Sequence, residues 1–310
     1  MSDGVERVWR PGRPVDLAAT LGPLRRSSAD PTFVVDPWRG VWRTARTPQG
    51  PATQHVSVDP ADGAVRCSAW GPGADWLLEQ LPDLLGDRDR TAVEFEPGHP
   101  LVRDAWRRHR GWRVPRTGQV WAVLVPTVLE QKVTGGEAWQ AWRRLVRRYG
   151  DPAPGPAGVV PAGMHVAPDA AGWRRIPSWE WHRAGVGPER SRTIVGAAPR
   201  AGALERTLDL PLPSVDAALR VLPGVGAWTA AEVRQRAYGD PDAVSVGDLH
   251  LPGLVVYALT GAMDGDDDRM LELLEPYAGH RYRVVRMIEL SGVSRPRRAP
   301  RYAPLDHRSR

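Results

Sequence analysis

The sequence predicts an α+β chain: a small N-terminal antiparallel-sheet domain over residues 1–97, an all-α domain over 98–293, and a basic flexible tail over 294–310. Three observations predict it. Before about residue 95, short runs rich in β-branched and aromatic residues alternate with turn-forming dipeptides. Beyond about residue 98, apolar residues recur at helical spacing between Pro- and Gly-rich loops. The last segment is rich in Arg and Pro and has no periodic apolar pattern.

In the first domain, Leu17 to Leu24 and Ala74 to Leu85 read as helices. Thr32–Val35, Gly40–Arg43, Thr53–Val58 and Ala64–Trp70 read as strands, separated by Asp36-Pro37, Pro48-Gln49-Gly50 and Asp59 to Gly63. In the second, Leu101 to His109 is a short arginine-rich helix, and Gly118 to Val133 is apolar enough to be buried. Gly136 to Tyr149 is amphipathic, with Trp139, Trp142, Leu145 and Val146 opposite a row of arginines. Asp151 to Pro168 is a loop. Helices follow near 169–176, 178–184, 188–201, 214–222, 227–238, 249–260, 267–276 and 279–291. Pro199 should kink or end its helix, and Ser214 is a candidate N-cap.

Composition narrows the function classes. With 42% apolar and 25% charged residues, the chain reads as globular. No apolar run is long enough to span a bilayer. The first residues lack the pattern of a signal peptide. A cytoplasmic bacterial protein, nucleoid-associated and without a membrane partner, is therefore expected. Cys67 is the only cysteine, which excludes an internal disulfide, a Cys-based zinc site and a four-cysteine iron–sulfur cluster. A net charge of +6 suits a polyanion partner, although almost all the positive charge is arginine and Lys132 is the sole lysine, as a GC-rich genome also produces.

The most informative stretch is Leu222-Pro-Gly-Val-Gly-Ala-Trp-Thr-Ala230, followed by Asp248 at the head of an apolar helix. Pro223 ends one helix, Gly224 and Gly226 permit a tight turn, and a second helix starts near Ala227 with its N–H groups facing outward. Such a helix start suits a phosphate oxygen. Asp248 sits at or near an N-cap, where a carboxylate is favoured by the helix dipole.

This hairpin and the aspartate about twenty residues on resemble the helix-hairpin-helix DNA glycosylases, most of all the 3-methyladenine DNA glycosylase II branch. The resemblance runs from roughly Pro11 to Pro296 and is strongest across 119–150 and 210–260. It implies an all-α helix-hairpin-helix glycosylase domain acting on double-stranded DNA that contains a damaged, alkylated base. Asp248 would be the essential carboxylate. Gly224, Val225, Gly226, Ala227 and Thr229 would meet the DNA backbone. A structural Na+ or K+ could sit on the carbonyls of Arg220, Leu222 and Val225, with no other cofactor required.

The same resemblance gives further residues their roles. Members that also nick the backbone carry a catalytic lysine where this chain has Trp228, so a monofunctional enzyme without lyase activity is implied. Trp228 would line the base pocket. Glu232 and Glu289 fall where the family often has pocket aromatics; either they face the pocket or they lie in solvent or pair with arginines such as Arg236 or Arg286. Gln131 and Lys132 would fill the gap left by the extruded nucleotide. Trp112 and the Trp179-Glu-Trp-His182 run read as structural. The acidic run Asp264 to Asp268 reads as a loop and N-cap rather than a calcium loop, Arg281 and Arg283 as phosphate or structural contacts, and His250 receives no catalytic role. A glycosylase for another lesion, such as a bulky or cross-linked alkyl base, and a non-catalytic DNA-structure binder are the alternatives. A monomer is the expected state.

Overall fold

The computed structural model describes residues 4–296, so most of the tail at 294–310 lies outside the described residues. Five antiparallel strands form one sheet: β1 (Val5–Trp9), β2 (Phe33–Val35), β3 (Val41–Thr47), β4 (Gly50–Val58) and β5 (Val65–Trp70), in the order β1-β5-β4-β3-β2. The four read from sequence are present. β1 has no counterpart in the sequence reading because it is an edge strand whose residues are mostly exposed. Without a buried face, its side chains carry no period-two alternation.

Alternation sets the sheet's two sides. Val41, Ala45, Ala52, Val56, Val65, Cys67 and Ala69 pack beneath helices α1 (Leu17–Leu21) and α2 (Ala74–Leu84). On the other side, Trp42 and Trp70 stack at 5.5 Å and meet Met164. Met164 belongs to the 151–168 loop, which returns along the sheet through a two-residue ladder, β6 (Asp151–Pro152) with β7 (His165–Val166). The Thr44 hydroxyl donates to the His165 carbonyl at 2.6 Å and fixes that return.

Among the described residues twelve helices follow: α3 (Pro100–Arg108), α4 (Val120–Leu129), α5 (Gly135–Tyr149), α6 (Ala170–Arg175), α7 (Ser178–Arg183), α8 (Pro188–Ala197), α9 (Ala201–Arg206), α10 (Leu212–Arg220), α11 (Ala227–Val233), α12 (Leu251–Thr260), α13 (Asp267–Leu274) and α14 (Arg281–Leu290). They build two cores. One gathers α4 to α11 around α4, which is apolar on every side and buried. The other joins α3 to α12, α13 and α14, with Trp112 and Phe95 between them. None of the described helices is long and apolar enough to cross a membrane.

The structure adds α9, which the sequence reading did not contain, and moves the boundaries of α10 and α4. α10 starts at Leu212 with Pro211 at the N-cap position, so Ser214 is not a cap. Pro213, with its dihedral preset, falls in the first turn and lets the helix begin earlier. α4 stops at Leu129 rather than continuing to Val133, because Lys132 adopts a left-handed φ of 54° and Thr134 opens α5 with a capping box to Glu137. Pro199 ends α8 as expected, in a 3-10 turn at Ala198–Arg200.

A buried ion pair ties α14 to the segment that follows the sheet. Arg283 of α14 donates to both oxygens of Asp89, at 2.7 and 2.8 Å, with both side chains sealed from solvent. The guanidinium also lies over Phe95, Trp106 and Trp112. Arg283 is thus structural. Burial alone would raise the Asp89 carboxyl, but the forked bonds and charge of Arg283 outweigh it and hold the group below its ordinary range. Its stabilisation is present above the unfolded-state pKa of about 3.9 and is lost as pH falls through the lower folded value. Asp89→Asn should cost about 3–5 kcal/mol near pH 7 by orphaning Arg283. Urea unfolding at descending pH should show the gap to the wild type closing as the wild-type carboxyl protonates.

Candidate functional site

The glycine hairpin forms as its residues dictate. After α10, the Val225 N–H donates to the Leu222 carbonyl at 3.0 Å, closing the turn. Gly224 has a φ of 85°, and a Cβ there would stand 2.0 Å from the Thr193 hydroxyl oxygen, so conformation and space both demand glycine. Gly226 is the extended N-cap of α11. The helix's first amide bond runs from Ala230 to the Gly226 carbonyl, leaving the amides of Ala227 and Trp228 ahead of the ladder. Gly224, Gly226 and Ala227 are exposed, whereas Val225 and Thr229 are buried and anchor the turn.

Gln131 binds the segment after α4 to this hairpin. Its amide donates to the Gly224 carbonyl at 2.9 Å and to the Thr229 hydroxyl at 2.8 Å. Lys132 follows, exposed in its left-handed conformation. The structure therefore brings Gln131, Gly224 and Thr229 into direct contact and sets Lys132 next to them in the chain.

Asp248 lies in the loop before α12. One carboxylate oxygen accepts the N–H groups of His250 and Leu251, at 2.8 and 2.9 Å, so the side chain serves the first turn as an N-cap would. The other accepts the indole N–H of Trp228 at 3.0 Å. The carboxylate is thus tied to the second helix of the hairpin. Both partners are partly exposed. Leu249, between Asp248 and His250, is 87% exposed.

The loop carrying Asp248 is held from both sides. Gln235 donates to the Ala243 carbonyl and to the Ser245 hydroxyl, each at 2.9 Å. Ser245 donates in turn to Glu232 at 2.5 Å, and Glu232 pairs with Arg236 at 2.6 Å. Burial would lower the Arg236 pKa, but the Glu232 charge raises it overall. From the other side, Asp267 accepts the Gly247 N–H with both oxygens, at 3.0 and 3.1 Å. Its neighbour Asp266 caps α13, so the acidic run does serve as loop and cap. No cluster of three or more metal-ligating side chains occurs among the described residues.

The two glutamates expected near a base both pair with arginines. Glu232 is bound to Arg236 and Ser245, and Glu289 is exposed and bound to Arg286. Arg281 is a structural contact that clamps Asp242. Trp112 and Trp181 are buried in cores, while Trp179 is exposed. Sequence reading missed Ser245, Gln235, Asp267 and Thr193. Ser245 lies three residues before Asp248 and Asp267 within the acidic run, but nothing in one dimension shows that they meet the site.

No family model matches the chain. A curated relative, the "Probable bifunctional transcriptional activator/DNA repair enzyme AlkA" of Mycobacterium tuberculosis, is 30% identical over 223 residues, covering 67% of this chain and 42% of that protein. The chain therefore spans less than half the length of that relative. The 3-methyladenine DNA-glycosylase from Archaeoglobus fulgidus superposes with a TM-score of 0.74 at 15% identity, over 92% of this chain and 98% of that one. The 8-oxoguanine glycosylase/lyase of Clostridium acetobutylicum, in complex with duplex DNA, gives 0.69 at 12%, over 93% and 97%. A sheet, helical cores and a glycine hairpin joined to an aspartate define the fold of the helix-hairpin-helix DNA glycosylases. The chain shares that fold and is similar in sequence to AlkA over 223 residues.

The hairpin's dependence on glycine is testable. Gly224→Ala should destabilise the protein by about 1–3 kcal/mol from the left-handed backbone, and further from the clash with Thr193. Gly158→Ala, with a φ of 81° and nothing within 4 Å of its added Cβ, should cost less. Urea denaturation of both variants measures the difference.

Proposed function

We propose that this chain is a monofunctional DNA glycosylase of base excision repair, which extrudes an alkylated purine from duplex DNA and hydrolyses its N-glycosidic bond. The observation that carries the reading is the bond between Asp248 and Trp228, which sets a carboxylate against the glycine hairpin. The glycosidic bond is inaccessible inside a stacked duplex, so the nucleotide must leave the helix. The exposed amides at Gly226 and Ala227 suit a backbone phosphate beside the lesion. The carbonyls of Arg220, Leu222 and Val225 would hold a Na+ or K+, which would add positive charge at the hairpin; the Leu222 oxygen, which accepts the Val225 N–H, keeps a second lone pair.

As the base departs, the sugar C1′ gains cationic character, and the Asp248 carboxylate stabilises it and orients the attacking water. Its three donors fix the carboxylate's orientation before substrate arrives. Trp228 offers an indole face to an electron-poor base but no amine for a Schiff base, which supports hydrolysis without strand cleavage. Gln131, bonded to the hairpin, places Lys132 to enter the space vacated by the nucleotide, its stem apolar and its ammonium near phosphate.

Asp248→Asn should lower base release from methylated duplex DNA by about 100-fold or more while leaving DNA affinity nearly unchanged. The assay counts alkali-cleaved abasic sites. Retained binding with no release by the wild type would favour a non-catalytic DNA binder, and strand breaks without alkali would contradict the monofunctional reading. A panel of methylpurines, ethenoadenine and bulky alkyl adducts distinguishes the substrate.

A further inference from the structure

A cavity of about 750 Å³ lies between α3 and the 92–98 segment, apart from the hairpin and Asp248. Arg103, Arg107, Arg110 and Arg113 line it, Trp106 forms part of its wall, and Glu96 is its one carboxylate. Among the described residues none of the four arginines is ion-paired. The neighbouring Arg108, by contrast, pairs with Asp104.

Two of the four are fixed without being neutralised. Arg103 donates to the carbonyls of Pro97 and Gly98, at 3.3 and 2.7 Å. Arg113 donates to those of Arg110 and Trp112, at 2.9 and 2.7 Å, and lies 5.6 Å over the Trp106 ring. Carbonyls orient a guanidinium but leave its full charge in place. Burial, and then the nearby charge of Arg13, push the Arg113 pKa below its ordinary value even though the charge of Asp89 opposes them, so this cation carries a cost that a further anion would relieve. Arg107 and Arg110 are exposed at the rim. Behind the wall, Arg283 is already satisfied by Asp89.

Four unpaired guanidiniums around one concavity, two of them preorganised, match the fork geometry of phosphate oxygens. We propose that this cavity is a phosphate site, taking either phosphodiesters of a DNA strand or a free polyphosphate. It does not depend on the glycosylase reading, since no residue of the Asp248 site lines it.

The test uses the full chain and two probes, an undamaged duplex and inorganic tripolyphosphate. Arg107→Ala with Arg110→Ala is compared with a control pair on the exposed end of α6, Arg174→Ala with Arg175→Ala. The cavity pair should weaken tripolyphosphate binding by about tenfold or more in calorimetry, as expected for two lost charge-assisted contacts. If the natural ligand is DNA, the slope of log K against log salt should also fall by about 2, roughly 0.9 per phosphate contact. If tripolyphosphate binding falls and that slope stays, the ligand is a free polyphosphate; if only the slope falls, it is the DNA strand. The proposal is overturned when the cavity pair leaves both readings at wild-type values, or when the control pair lowers them equally.

Discussion

The carboxylate of Asp248 joins two halves of the helical region that share no core. Trp228 rides on α11, whose apolar side belongs to the core around α4. Asp248 stands ahead of α12, which packs with α3 and α14. The indole N–H of one reaches the carboxylate of the other at 3.0 Å, and two amides at the head of α12 hold the second oxygen. A carboxylate with three donors from two bodies has its position and rotamer fixed together. Any chemistry at this site inherits that fixed geometry, because electrostatic stabilisation depends on a charge already in place.

The surroundings are built to keep it so. The loop before Asp248 is short of regular structure and would wander by itself. Gln235 and Glu232 hold Ser245 from the α11 side, while Asp267 holds Gly247 from the α13 side. Gln131 performs the equivalent task for the hairpin by reaching the Gly224 carbonyl. These are hydrogen bonds at positions that range from exposed to buried, each worth about 1 kcal/mol net. Their value lies in removing conformational freedom from two loops that must face one another. Arg283 and Asp89 do the same for the scaffold, fastening α14 to the segment that follows the sheet domain.

Charge is distributed with a purpose that composition hides. The arginine excess is partly neutralised inside the fold, as with Arg236 and Glu232, Arg281 and Asp242, and Arg283 and Asp89. Where acids are outnumbered, as in the cavity beside α3 with four arginines and one glutamate, positive charge is left to face solvent or a polyanion. A net charge gives the sum of these arrangements and cannot separate them.

The sequence by itself determined the elements whose cause is local. The glycine hairpin, the buried helix around Leu124, four of the five strands and a helix cap within the acidic run Asp264 to Asp268 follow from dihedral limits, apolar period and side-chain reach along one segment. The family resemblance put Asp248 and the glycine hairpin in one site, but the bond from the Trp228 indole to that carboxylate appeared only in the tertiary structure. Only the tertiary structure decided that Glu232 binds Ser245 and Arg236, that Asp267 braces Gly247, that Thr193 excludes a side chain at Gly224, and that Lys132 sits in a left-handed turn. Each of these depends on which surfaces the helices bury against each other. A hydrogen bond between distant residues leaves no periodic trace in the chain that forms it.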